Sequence, residues 1–475
     1  MPLLPPARSF DTLSLRYGAR YKWLAMLVVA LGTISGVLST SSFNVAVPAL
    51  TRAFALGQEQ VQWVMTGFMG AMTVSMLPAP WLLERLGFRK LFLGAVLALL
   101  VTSVAGFFAP TFPLVVAARI AQGIATGVLQ PLGPLAVMRL FPPDSQGRAS
   151  GILTFGIVLM PAIAPAAGGA LLDAFGWRTI FLLNLPFCLA ALVLALIFLP
   201  LPREIQRKPF DWTGVALLTL ASLVLVETVS SLQHSGLLTL WTLGHLALAT
   251  TAIVLFIRHA RRRKNPVISL GLFRHRAFSM GTIVSFAYGF GLFGSTYLIP
   301  VFLQNAQGFT AAAAGSTLIP SGIALLATIP IAGRMADRLP PHWLTVAGMG
   351  LLGTSFLAFA LLGGTITTTG IIAVTVWGRI GLGLILPALT LSVLRHLEPH
   401  QLGQSSVVVS YSRQLGGVMG IAVIAVFVAW RESIHGTSTA GIHTAYAQGF
   451  LLLAAVFALA LAAALQMKPP RAQRG

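Results

Sequence analysis

Pro80-Trp81-Leu82-Leu83-Glu84-Arg85-Leu86-Gly87-Phe88-Arg89-Lys90 gathers four charged residues into eleven positions, in a chain whose Asp, Glu, Lys and Arg together make up only 9% of its residues. Long apolar runs lie on both sides of it. The stretch returns in altered form as Gly333-Arg334-Met335-Ala336-Asp337-Arg338. A charged hinge that occurs twice divides the chain into two halves built on one plan.

The surroundings of the hinge decide the solvent. Over 475 residues, 56% are hydrophobic, far from the roughly one-quarter charged content of soluble domains. Apolar runs of about 20 residues, the length that spans a bilayer, recur throughout, and no extended polar region interrupts them. The first run exceeds a signal-peptide core and lacks a small-residue cleavage site, so it is expected to stay as a span. The net charge of +20 would suit nucleic acid on a solvated face. Here Lys and Arg cluster in short loops, where they set membrane topology, and no nucleic-acid partner is expected. The single cysteine, Cys188, excludes an intrachain disulfide and reads as a small core residue.

Apolar runs bounded by charged or turn-rich loops give fourteen spans, at about 22–45, 61–83, 90–109, 112–139, 149–172, 178–199, 212–234, 239–258, 278–303, 312–335, 343–363, 368–393, 405–430 and 445–466. All must be helices, because open strands cannot satisfy their backbone in lipid. With the amino terminus inside, 25 of the 31 Lys and Arg fall on the inner side, three outside (Arg52, Arg178, Arg431) and three within spans (Arg119, Arg379, Arg413). That asymmetry places both termini in the cytoplasm of an inner-membrane protein. The richest basic stretch, Arg258 through Arg276, reads as a topology anchor and linker, with affinity for anionic lipid as the other reading.

The halves correspond in more than the hinge. Arg119-Ile120-Ala121-Gln122-Gly123 is echoed by Arg379-Ile380-Gly381-Leu382-Gly383, with Pro131 and Pro387 further along the respective spans. Glu84 and Asp337 stand 253 positions apart and the two arginines 260, close enough for one repeat with loops of different length. The expected architecture is an all-α polytopic membrane protein. It has a tail at 1–21, a six-helix bundle at 22–200, two inserted helices at 201–264, a second six-helix bundle at 265–467 and a tail at 468–475. Such repeats mark transporters that rock two bundles around a central site.

These residues resemble the major facilitator superfamily, and fourteen spans point to its drug:proton antiporter branch. The family's signature between helices two and three, Gly-x-Leu-x-Asp-Arg-x-Gly-x-Arg-Lys, is followed by Pro80 to Lys90 with Pro80 for Gly and Glu84 for Asp. Arg119, Gln122 and Gly123 match the fourth-helix motif. Ala164-Pro165-Ala166-Ala167-Gly168-Gly169 resembles the antiporter motif Gly-Pro-x-x-Gly-Gly, and Trp177 to Pro186, Asn265-Pro266 with Leu272-Phe273, and Arg413-Gln414-Leu415-Gly416-Gly417 are similar to further segments of the branch. One departure bears on mechanism. The first helix of the branch carries Leu-Asp-x-Thr-x-x-Asn-x-Ala-x-Pro, and Leu38 to Pro48 keeps that frame with Ser39 in place of the acid. The resemblance implies export of small organic substrates coupled to protons. Ser39 keeps open an uncoupled or differently coupled facilitator for a lipid-like or self-made compound.

Physical reading assigns roles to these motifs. Glu84, Arg85, Gly87, Arg89, Lys90, Asp337 and Arg338 form an expected inner gate whose acids cap or pair across the seam between bundles when the inner face is closed and release when it opens. Gly87 allows the tight turn, since only glycine takes positive φ cheaply. Pro165, Gly168 and Gly169 make span five a small-faced, bent surface suited to sliding and sealing. Arg119 stands roughly 10 Å below the outer surface at about 1.5 Å per residue. It has two readings, proton coupling as the resemblance implies, or a structural cation satisfied by helix-end carbonyls. Glu227 is the one acid well inside a span, and His245 on the following helix comes to a similar depth. They are expected to pair, as a protonation site or, on the favoured reading, as a polar link holding the inserted hairpin.

The central faces offer Ser39, Phe43, Asn44, Phe68, Gln122 and Gln130 from the first half and Phe286, Tyr288, Phe290, Tyr297 and Arg413 from the second as cavity candidates. Aromatic walls with few polar groups suit bulky amphipathic or cationic organic compounds. The chain lacks a phosphate-binding Gly-x-x-x-x-Gly-Lys-Ser/Thr loop, so ATP-driven transport and enzymatic chemistry are not expected. His435 and His443 have no third ligand to make a metal site. No cofactor is expected, the surrounding partners are membrane lipids, and the sequence names no outer-envelope partner.

Overall fold

A computed structural model describes residues 10–43, 46–61, 63–200, 209–235, 239–395, 397–436 and 438–468, and among them there is no strand. Eighteen helices follow one another: α1 Phe10–Tyr17, α2 Tyr21–Ser42, α3 Val47–Phe54, α4 Gln58–Val61, α5 Trp63–Ser75, α6 Ala79–Phe107, α7 Phe112–Leu129, α8 Leu132–Leu140 and α9 Gln146–Phe175 come first. Then come α10 Leu185–Phe198, α11 Trp212–Ser235, α12 Leu240–Arg262, α13 Arg276–Asn305, α14 Ala311–Arg338, α15 Pro341–Leu362, α16 Thr368–Leu394, α17 Leu402–His435 and α18 Thr439–Leu465. Twelve described helices are long and apolar enough to cross a membrane. Of the fourteen expected spans, the second and fifth are not among the twelve. The second corresponds to α5, only 13 residues long, and the fifth to α9, which runs for 30.

Several boundaries move, for identifiable reasons. The second span was expected to run unbroken over 61–83, with the hinge as a loop after it. Instead the helix stops at Ser75 and α6 starts at Ala79. Pro78 has no amide proton to give and biases Leu77 away from helix, whereas Pro80 suits the first turn of α6. The charged stretch is therefore helical from Pro80 to Leu86 and again from Phe88, broken only at Gly87, where φ is 74° and ψ 162°. The fourth span divides at Gln130–Pro131 into α7 and α8, but Pro387 is carried inside a continuous α16. Part of the expected tail before residue 22 is also helical, as α1, with Leu13 buried.

The chain forms two compact units, one comprising Met1–Pro142, Leu153–Asp211 and Leu402–Val407, the other Pro143–Ile152, Trp212–Gln401 and Val408–Gly475. The inserted pair α11 and α12 belongs to the second. The first unit has an apolar cluster around Phe43, Val64, Val115, Trp177 and Phe181, in which the Phe43 and Phe181 rings meet edge-on at 4.6 Å. In the second, Phe302 is ringed by Phe359, Tyr446 and Phe450. Cys188 is buried and unbonded to sulfur, as expected of a packing residue.

Candidate functional site

The first concentration of polar chemistry lies in the first unit, around Arg119. Its side chain is wholly enclosed. The helix α2 ends at Ser42, which leaves the carbonyl of Ser39 among the last four without an intrahelical donor. Arg119 Nη1 donates to that carbonyl at 2.9 Å and to Gln122 Oε1 at 2.8 Å, while Nε donates to the carbonyl of Val64 at 3.2 Å. The rings of Phe43 and Phe68 each lie 4.1 Å from its Cζ, so two aromatic faces supply the electrostatic attraction a buried cation otherwise lacks. Gln122 Nε2 passes the network to Ser103 Oγ at 2.7 Å, and Asn184 Nδ2 donates to Ser39 Oγ at 2.7 Å and to Ser103 Oγ at 3.0 Å. Among the described residues no carboxylate enters this network. Four cavity candidates, Ser39, Phe43, Phe68 and Gln122, thus build the enclosure of one arginine, and Asn44 lies outside the described residues. Gln130 is half-buried at the break before α8.

Asp337 organises a second place. Near the C-terminus of its own helix a carboxylate meets an unfavourable dipole, and the N-terminus of another helix offers the opposite sign. Asp337 takes that offer: its two oxygens accept from the backbone N–H groups of Gly147, at 2.5 Å, and Arg148, at 2.8 Å, in the first turn of α9. The approach needs bare backbone. A Cβ on Gly333 would lie 2.6 Å from the carbonyl of Gly147 and 2.8 Å from Cα of Gly151, and one on Gly147 would lie 2.6 Å from an Asp337 oxygen. Arg395, just past α16, donates to the carbonyl of Pro143 at 2.8 Å. Burial lowers the pKa of that guanidinium and Asp337 draws it back up. All these residues belong to the second unit. Sequence reading missed Gly147, Gly151 and Arg395; the Gly-x-x-x-Gly spacing of the first two was the available signal.

At the first hinge the arrangement differs. Arg85 lays its guanidinium over the Trp81 ring at 5.0 Å, Arg89 is buried and donates to the carbonyl of Leu196 at 3.0 Å, and Lys90 is exposed. Glu84 is half-buried, with Arg139 in its electrostatic surroundings. Leu83 faces the first turn of α17, 3.6 Å from where a Cβ on Gly403 would sit. Arg338 is exposed and is not the partner of Asp337. In span five, Gly168 is buried and Gly169 has open space beside it, and the side chain of Pro165 lies outside the described set.

The third place is in the second unit. Tyr288 is buried on α13, with Arg379 of α16 and Arg413 of α17 as its charged neighbours. Both arginines are half-buried, as is Phe286; Phe290 is buried and Tyr297 exposed. Arg379 borders a cleft with Ser295, Ser355 and Thr375. The expected pairing of Glu227 with His245 does not form: Glu227 is exposed, and His245 turns Nδ1 to the carbonyl of Trp241 at 2.8 Å and stacks on that indole at 4.4 Å. Among the described residues no group of three or more metal-ligating side chains occurs.

Twelve membrane-length helices among the described residues, with two charged stretches and with Arg119 and Arg379 in register, define a polytopic membrane protein. The Major Facilitator Superfamily model matches residues 29–421, and the chain belongs to that family. A multidrug resistance protein B homolog of Mycobacterium tuberculosis (strain CDC 1551 / Oshkosh) is 31% identical over 412 residues, covering 85% of this chain and 76% of the relative. The tetracenomycin C resistance and export protein of Streptomyces glaucescens is 30% identical over 414 residues, covering 86% and 76%. Among solved structures, a double Trp mutant of XylE superimposes with a TM-score of 0.67 at 15% identity, covering 96% of this chain and 97% of that one. The chain is a multi-pass membrane transporter of this family, not an enzyme.

Proposed function

We propose that this protein is a secondary-active exporter of bulky amphipathic organic compounds, lying in the inner membrane with fourteen spans and both termini in the cytoplasm, and working by alternating access. The observation that carries the reading is the grip of Asp337 on the first turn of α9. The acid of the second hinge holds a helix of the first sequence repeat through two charge-assisted hydrogen bonds, each worth about 1.5–3 kcal/mol in favourable surroundings. The crossing of Gly147 and Gly151 with Gly333 allows that grip, and opening of the inner face requires its release. The names of the relatives, a multidrug resistance homolog and an antibiotic export protein, support the substrate side.

The test is export from cells and from proteoliposomes. Asp337→Asn keeps the shape and removes the charge, and should lower export by about tenfold, the effect of some 1.4 kcal/mol on a two-state balance, with insertion intact. Export unchanged by Asp337→Asn would remove the gate. Coupling has two readings. Proton coupling follows the branch, and the Arg119 network, with no carboxylate among its described members, favours a facilitator without proton coupling. Flux in proteoliposomes under an imposed pH gradient separates them: a rate that ignores the gradient excludes the antiporter.

A further inference from the structure

Arg379 and Arg413 are two intramembrane cations that flank one tyrosine. They face the same problem as Arg119 without its solution. Neither guanidinium donates a hydrogen bond to any described residue, and Tyr288 is the titratable neighbour of both. Two like charges at membrane depth, with neither counter-ion nor acceptor, are costly, and the cost falls when an anion sits between them. Tyr288 precedes Gly289, whose missing side chain lets α13 press against the carbonyl of Arg413, so the tyrosine and that arginine keep a fixed spacing set by helix packing. Arg379 opens on its cleft, where the hydroxyls of Ser295, Ser355 and Thr375 all donate to carbonyls of their own helices. Those hydroxyl protons are committed, so the donor this cleft leaves to a ligand is the Arg379 guanidinium, and Tyr288 is the neighbour it shares with Arg413.

We propose that Arg379, Arg413 and Tyr288 form the recognition site for the oxyanion head group, a carboxylate, sulfonate or phosphate, of an amphipathic substrate. The site selects organic anions over the organic cations that aromatic walls alone would favour. Guanidinium forks match oxyanions bidentately, and neutralising two arginines at once gives the bound anion an advantage that a neutral isostere lacks. The proposal rests on the exporter reading and names its substrate class. Two sources share the head-group chemistry, a free organic acid and an anionic phospholipid.

Four probes with one fluorophore test it on the full chain in proteoliposomes: pyrenebutanoate, its methyl ester, pyrenebutyltrimethylammonium and a pyrene-labelled phosphatidylglycerol. Binding is read by fluorescence titration and movement by flux. The anion should bind at least about tenfold more tightly than the ester and the cation, some 1.4 kcal/mol. Arg379→Gln and Arg413→Gln should each remove about that factor for the anion and leave the cation within about twofold. Arg379→Lys, which keeps the charge, should restore part of the loss and so separates recognition from misfolding, as does an unchanged helical circular dichroism spectrum. Preference for the phosphatidylglycerol probe, with the same sensitivity to both arginines, identifies the lipid as the source of the anion. Tighter binding of the cation, or anion binding indifferent to both substitutions, overturns the proposal and leaves the exporter standing. Absence of flux for every probe, in a protein that is folded and inserted, overturns the exporter and the proposal together.

Discussion

Arg119 and Arg379 hold the same register in the two copies of the repeat, each followed four positions later by a glycine, Gly123 or Gly383, yet their surroundings have little in common. The first is sealed between two phenylalanine rings and bound by three hydrogen bonds. The second is half-buried, beside a cleft, and donates to no described residue. The difference begins in the helices that pack around them. In the first unit, α2 stops short and presents the carbonyl of Ser39, Gln122 adds a side-chain acceptor, and Asn184 donates to Ser39 and Ser103 behind it. In the second unit, α13 runs from Arg276 to Asn305 with Pro300 inside it, and Arg379 donates to no described carbonyl. One repeat encloses and hydrogen-bonds its arginine, and the other leaves its arginine without a described acceptor.

The sharpest way to break this contrast is to remove each arginine in turn. Arg119→Gln deletes the cation and leaves the Ser39 carbonyl and Gln122 without their donor inside a sealed site. It should cost on the order of 3 kcal/mol, read as a lower unfolding midpoint of the purified protein in detergent. Arg379→Gln has no protein hydrogen bond to lose and should leave that midpoint close to the parent. Equal destabilisation by the two would mean that both arginines are structural. A smaller effect is expected from Ser103→Ala, which removes the oxygen that accepts from both Gln122 and Asn184; about 1–2 kcal/mol follows from leaving buried donors unpaired. A functional version of the contrast is Ser39→Asp, which returns an acid to the Arg119 network. Flux should then respond to an imposed pH gradient more steeply than in the parent, and an unaltered response would mean that this network does not handle protons.

Much of this contrast was legible in the sequence, though not all of it for the same reason. Family, helical class, the duplicated hinge and the depth of Arg119 follow from apolar length, charge placement and motif register, all local properties of the chain. Gly87 was read correctly because positive φ is a local demand, and its φ of 74° meets it. What escaped was set by tertiary contact. Asp337 was expected to cap or pair across a seam, and it caps α9, but no local pattern shows which N-terminus lies opposite. Ser103 is an unremarkable serine in an apolar run, and only folding brings it between Gln122 and Asn184. The cavity candidates Ser39, Phe43, Phe68 and Gln122 were chosen for the central faces of the bundles, and they are buried around Arg119 within the first unit. Facing inward, however, does not tell an open surface from a filled one.

Glu227 gives the comparison its smallest expected effect and a control. It is the acid the sequence places deepest in a span, and on composition alone it is the natural candidate to balance the membrane arginines. The structure keeps it in that span and turns it outward: it is exposed on α11 of the inserted pair, and its expected partner His245 is occupied by Trp241 on its own helix. It does not enter the electrostatic surroundings of Arg379 or Arg413. Glu227→Gln should therefore leave export, its response to a pH gradient and the binding of pyrenebutanoate within about twofold of the parent, as expected for a surface change remote from a site. The informative result would be the opposite one. If Glu227→Gln flattened the response to the pH gradient, the inserted pair would take part in transport, and the acid absent from the first helix would have its functional replacement there.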